Sequence, residues 1–180
     1  MKNIYASIVG IILACLTSFF IHENSLYNFR FHLGLYDGEA EERAIEDTLR
    51  LFNRHFATFF NTGGSLQGLN EFPAANLIKR RIFQEINNWR KNNSLLVYDR
   101  DVFKIEFIKL MDPVSAIALA KEVWFLNVQD IDTRRYISPV KAAPVKVRYF
   151  LKKIEKKWQV VEYEVFGEGD EVPPVNKGGF

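Results

Sequence analysis

The chain has 180 residues, 48% of them hydrophobic and 26% charged, which is the arithmetic of one globular domain with little room for a second. That balance excludes a disordered, collagenous or polytopic membrane chain, and 24 basic against 22 acidic residues, a formal charge of +2, argue against a dedicated nucleic-acid binder. One cysteine permits no internal disulfide, and with three histidines it supplies little for a metal centre, so no metal or other cofactor is expected.

The first predicted element is membranous. Residues Ile4 to Ile21 carry no charge, and as a helix they would reach about 27 Å, close to the roughly 30 Å of a hydrocarbon core. No A-x-A cleavage site follows, so 1–24 reads as an uncleaved signal-anchor; Ile12-Leu13-Ala14-Cys15 also resembles a lipobox, and a cleaved secretory peptide or a buried helix are further readings. A short positive N-terminal flank, Lys2 and the terminus itself, favours a cytoplasmic start, which places everything beyond Asn24 outside the cytoplasm, in the periplasm if the source is Gram-negative.

Residues 25–38 form an aromatic arm or linker. Tyr27, Phe29, Phe31, Leu33 and Leu35 occupy alternate positions, the period of a strand or extended arm, and Phe29 and Phe31 are candidate partner-binding residues. From residue 39 to 166 the chain divides into a helical half and a strand half. Ile45, Leu49, Phe52, Phe56 and Phe59 recur at steps of four and three, which predicts a helix from Glu39 to Asn61, ended by Asn61-Thr62-Gly63-Gly64. Pro73 suits the first turn of a second helix whose buried face is Leu77, Ile78, Ile82, Ile86 and Trp89. Its other face carries Lys79, Arg80, Arg81, Arg90 and Lys91, a solvated stripe or a docking surface for an acidic partner or anionic lipid.

Strands are predicted from about Leu95. Phe103, Ile105 and Phe107 alternate with charges, Asp112-Pro113 makes a turn, and Ala116 to Val128 is long enough to curve across a core. A loop that reads as polar, with Asp130, Asp132, Arg134, Arg135, Pro139 and Pro144, precedes a strand of Val145, Val147, Tyr149 and Leu151. Glu155-Lys156-Lys157 then turns the chain into Trp158 to Phe166. The inward parity changes along that last strand, which calls for a β-bulge near Val160. Residues 167–180, rich in glycine and proline, read as a flexible tail.

Two helices followed by an antiparallel meander closing in Val145-Lys146-Val147-Arg148-Tyr149-Phe150-Leu151 and Lys157-Trp158-Gln159-Val160-Val161 resemble the NTF2-like family. The resemblance implies an α+β cone, a curved sheet of four to five antiparallel strands wrapped on helices, with homodimerisation through the sheet common. Enzymes of that family hold an Asp, His or Tyr inside the cone, and the possible equivalents are His55, the cluster Tyr98-Asp99-Arg100-Asp101 at the entry to the sheet, and Tyr149; His55, Tyr98, Trp124, Tyr149 and Trp158 are the candidate cavity-lining residues. No nucleophile elbow, phosphate loop or paired metal-ligand spacing appears, so no catalytic residue is assigned. Two functions follow from this sequence: a membrane-anchored, non-enzymatic binding or assembly domain that docks another envelope or membrane-complex protein, or an enzyme or small-ligand carrier with an apolar cavity in the cone.

Overall fold

The computed structural model describes Phe31 and residues 37–174. The chain divides into two units, Met1–Glu39 and Ala40–Phe180, and the second holds almost all of the described residues. The expected anchor lies outside the described residues, among which no helix is long and apolar enough to cross a membrane. Of the aromatic arm, Phe29 lies outside them too, and Phe31 is helical where the alternation predicts extended chain.

Helix α1, Gly38–Asn61, buries Ile45, Leu49, Phe52, Phe56, Phe59 and Phe60 along one stripe. Glutamates 39, 41 and 42 sit in its first turns, where the helix dipole favours negative charge. It ends where Gly64 N–H donates to the Phe59 carbonyl and Gly63 N–H to that of Phe60, with Gly63 at φ 69°. This paired closure needs a left-handed residue. Glycine is needed at 63 for a second reason, because a Cβ there would lie 2.9 Å from Leu95 Cδ2.

Helix α2, Asn76–Lys91, begins three residues after Pro73 and buries Ile78, Ile82 and Ile86. The expectation that Pro73 opens this helix fails for a non-local reason. Val160 N–H donates to the Pro73 carbonyl and Ala75 N–H to the Val160 carbonyl, so residues 73–75 run alongside the last strand instead. Leu77, expected in the core, is 66% exposed: the buried stripe of this helix runs Ile78, Ile82 and Ile86 at steps of four, and Leu77 lies about 100° to one side of it.

Four antiparallel strands, β1 (Ser94–Asp112), β2 (Ser115–Asp130), β3 (Lys141–Ile154) and β4 (Lys157–Gly167), lie in the order β1-β2-β3-β4. The pairing skips Asp101, Glu106 and Met111 on β1 and Val161 on β4, so each is an extra residue that bends its strand. The bulge at Val161 brings Trp158, Val160 and Tyr163 onto one face, as the parity change requires. Strand β3 starts earlier than its pattern suggests and includes Pro144, opposite Val123. A proline is tolerated there because β4 ends at Gly167, opposite Val145, and asks for no amide donor at residue 144.

The inner face of the sheet presents Ala116, Ala118 and Ala120 from β2, flanked by Val147, Tyr149 and Leu151 from β3 and by Trp158 and Val160 from β4, all packed with the buried faces of both helices. Three alanines in a row leave room for phenylalanine. Phe52, Phe59 and Phe60 are almost wholly buried, each stabilising the fold by about 1.5–3 kcal/mol relative to exposure. Segment 73–75 covers the β4 edge. The β1 edge carries three bulges and the charges of Lys104, Glu106 and Lys109, devices that discourage pairing with another strand.

Candidate functional site

Three places among the described residues are candidates for function. The first is a buried network between helix α1 and the inner face of the sheet. Glu122 occupies the inward parity of β2, after Ala116, Ala118 and Ala120, and its side chain is fully buried. Its Oε1 accepts the Tyr149 hydroxyl at 2.5 Å and its Oε2 the Trp124 indole N–H at 2.5 Å. Asn53 of α1 completes the group, with Nδ2 and Oδ1 3.1 and 3.2 Å from the Tyr149 oxygen and Nδ2 also donating to the Leu49 carbonyl. The nearest cation, Arg100 Nη1, is 3.8 Å from Oε2. Burial lifts the Glu122 carboxyl above the ordinary carboxylate range, against the opposing pull of those two hydrogen bonds and of Arg100. Burial and the adjoining Glu122 push the Tyr149 phenol upward, so it stays a donor.

The second place is a half-open pocket of about 470 Å³ between helix α1 and residues of β1 and β2. Helix α1 supplies Arg50, Arg54 and Asn61, and the sheet supplies Tyr98, Arg100 and Trp124. The aromatic part is built from Phe56, Tyr98 and Trp124, with Tyr98 edge-on to both Phe56 (5.3 Å, 83°) and Trp124 (5.8 Å, 72°). Asn61 fixes this wall by accepting the Tyr98 N–H and donating to its carbonyl.

The third place is the β2–β3 connection. Tyr136, Ile137 and Val140 are 62%, 61% and 58% exposed. The loop holding them is nonetheless tightly bonded: Asp130 Oδ1 accepts both the N–H and the hydroxyl of Thr133, and the Asp130 N–H donates to the Arg135 carbonyl. Ile137 N–H donates to the Val128 carbonyl, and Asn93 Nδ2 donates to Asp132. What reads in the sequence as a polar loop is therefore a fixed display of apolar side chains.

The residues singled out by sequence are dispersed. Tyr98, Trp124 and Tyr149 come together at the network and pocket. His55 does not join them; it stacks on Phe59 (5.9 Å) and against Phe72 (6.0 Å), and burial lowers its pKa. Trp158 is buried at the other end of the sheet, beside the β3–β4 turn. The basic stripe of α2 is largely engaged. Lys79 donates to the Leu69 carbonyl, Arg90 to that of Gly63, and Arg81 lies over the Tyr163 ring, which leaves Arg80 and Lys91 as its outward charges. Sequence reasoning missed Glu122 and Asn53, the arginines 50 and 54, and the Tyr136 loop; of the cluster Tyr98-Asp99-Arg100-Asp101, the first three residues line the pocket. Among the described residues no group of three His, Cys, Asp or Glu side chains could hold a metal ion.

No protein-family model matches the chain, and no curated protein matches it. Among solved structures it is similar to the intermembrane-space region of the chloroplast protein ARC6, at 12% identity and a TM-score of 0.59, over 70% of this chain and 96% of that one. At that identity the shared feature is the fold. A second match is an NTF2-like protein of unknown function from Prochlorococcus, at 19% identity and a TM-score of 0.36, over 49% of this chain and 63% of that one.

Proposed function

We propose that the protein is an NTF2-like binding and assembly domain, tethered to a membrane through residues 4–21, with its folded part outside the cytoplasm and its role the docking of another membrane or envelope-complex protein. The observation that carries the binding role is the β2–β3 loop, where Tyr136, Ile137 and Val140 stand exposed on a backbone already fixed by the Asp130, Asn93 and Val128 bonds. An apolar display that is rigid before contact loses little entropy on docking, and aromatic and aliphatic anchors of this kind dominate protein interfaces. The ARC6 region, an intermembrane-space segment with the same fold, accords with placement outside a cytoplasm. Catalysis by Glu122 is disfavoured because both its oxygens are taken by Tyr149 and Trp124.

The test is site-specific photo-crosslinking of the full chain in its native membrane from position 136, with position 91 as control. A discrete protein adduct from 136 alone, lost in Ile137→Ser at an unchanged unfolding midpoint, is expected. Adducts with lipid and self only would overturn the reading.

A further inference from the structure

The pocket between α1 and the β1 and β2 strands has a charge pattern that the docking role does not use. Three guanidinium groups line it and a single carboxylate, Asp99, answers them from within the lining. Arg50 is already engaged, and Arg100 only in part. Arg50 pairs with Glu46 one turn earlier on α1 and lies over the Phe103 ring, while Arg100 lies over the same ring from its other neighbour and reaches toward Glu122. Arg54, exposed on the next turn of α1, has no ion-pair partner among the described residues.

The apolar side of the same pocket is equally organised. Trp124 is held by its bond to Glu122, Asn53 by its bonds to Tyr149 and to the Leu49 carbonyl, and Tyr98 by both backbone bonds to Asn61. A pocket of about 470 Å³ with aromatic walls and a few converging polar groups has the size and make-up of a small-molecule site. Arginine forks match the geometry of an oxyanion.

We propose that this pocket binds a small organic anion, a carboxylate, sulfonate or phosphate ester on a flat apolar body, with the body against Tyr98 and Trp124 and the anionic group on Arg54 and Arg100. The site is separate from the Tyr136 loop, so its occupancy stands or falls independently of partner docking.

The experiment is fluorine NMR on the full chain, labelled with fluorotryptophan and held in lipid nanodiscs, titrated with naphthoate and, as the uncharged counterpart, naphthylmethanol. Trp124 lines the pocket and Trp89 and Trp158 do not, so the three indoles report on site and background together. Naphthoate should move the Trp124 resonance saturably and leave the other two in place. Arg54→Gln, at an exposed position where folding is not at risk, should weaken the affinity about tenfold, the loss of one charge-assisted contact. Arg100→Lys should weaken it as well, by removing the fork while keeping the charge. Equal binding of naphthylmethanol, unaltered affinity in Arg54→Gln, or a Trp124 resonance that does not move would each overturn the proposal.

Discussion

The two ends of the sheet solve one problem with different chemistry. At each, a tryptophan indole donates to a glutamate: Trp124 to Glu122 near the pocket, and Trp158 to Glu41 of α1 at 2.7 Å. Glu41 also receives Lys153 Nζ at 2.5 Å, and the two side chains of that ion pair are each 18% exposed. Glu122 receives a phenol instead, in full burial, with its nearest cation 3.8 Å away. The Trp158 end thus clamps the first turns of α1 to the β3–β4 hairpin with a compensated charge. The Trp124 end keeps an acid among neutral donors, an arrangement that costs stability when the acid ionises and holds Trp124 and Tyr149 in fixed poses.

Removing the tryptophans tests that difference most sharply. Trp158→Ala should destabilise the fold by about 3–5 kcal/mol in chemical denaturation, because it empties a fully packed site and strips Glu41 of a donor. Trp124→Ala should cost less, about 2 kcal/mol, since Trp124 is only half-buried and borders the pocket, although it too strips a buried glutamate of a donor. Equal costs would mean that the two ends are built alike.

Tyr149→Phe comes next. It leaves one oxygen of a buried carboxylate and one side of Asn53 without a partner, at a cost of about 1–3 kcal/mol. The cost should be larger near neutral pH than in acid, where a protonated Glu122 asks less of its neighbours. A loss independent of pH would show that Glu122 does not ionise in the folded state over that range.

Glu122→Gln separates the charge from the shape. The folded carboxyl holds its proton to higher pH than it does unfolded, so the native state binds more protons in between. Its contribution is therefore most favourable below the ordinary carboxylate pKa of about 4.3. That contribution declines as pH rises toward the raised folded value and is level beyond it. Glutamine removes this decline and retains donors and acceptors for Trp124 and Tyr149, with the Tyr149 hydroxyl free to turn toward Asn53 Oδ1. Equilibrium unfolding against pH should give a flatter curve for the variant and a gain over wild type on the alkaline side. Parallel curves would place the pH dependence elsewhere.

Much of this comparison could have been read from the chain. The spacing of Ile45, Leu49, Phe52 and Phe56 gives α1 its buried face, and the broken parity from Trp158 to Val165 gives the bulge at Val161. Glu122 was accessible by the same rule: it continues the row Ala116, Ala118 and Ala120, but alanines do not mark a core face as leucines would, and so nothing in the row points to a buried acid. Pro73 was misplaced because a local preference for helix starts yielded to pairing with Val160, far along the chain. The arginine pocket and the exposed Tyr136 loop depend on which turns and strands meet, and no periodicity within either segment encodes that.

The smallest expected effect concerns the turn behind Trp158. Glu155 and Lys156 form a two-residue hairpin loop between the paired residues Ile154 and Lys157, and both have positive φ, 50° and 65°. That is the backbone of a turn which Asn-Gly adopts with least strain. A side chain in the left-handed region costs about 1–2 kcal/mol per residue, part of which glycine gives back through its greater freedom in the unfolded chain. Glu155→Asn with Lys156→Gly should therefore stabilise the protein by about 1 kcal/mol, read as a higher denaturation midpoint at unchanged slope. The gain tests whether the Glu41, Lys153 and Trp158 clamp is already at its best geometry. If the native turn were instead holding Lys153 and Trp158 in register, relaxing it would weaken the clamp, and the double variant would be no more stable than wild type. The same substitution made in Glu41→Gln, where the clamp has lost its charge, would then recover the full increment.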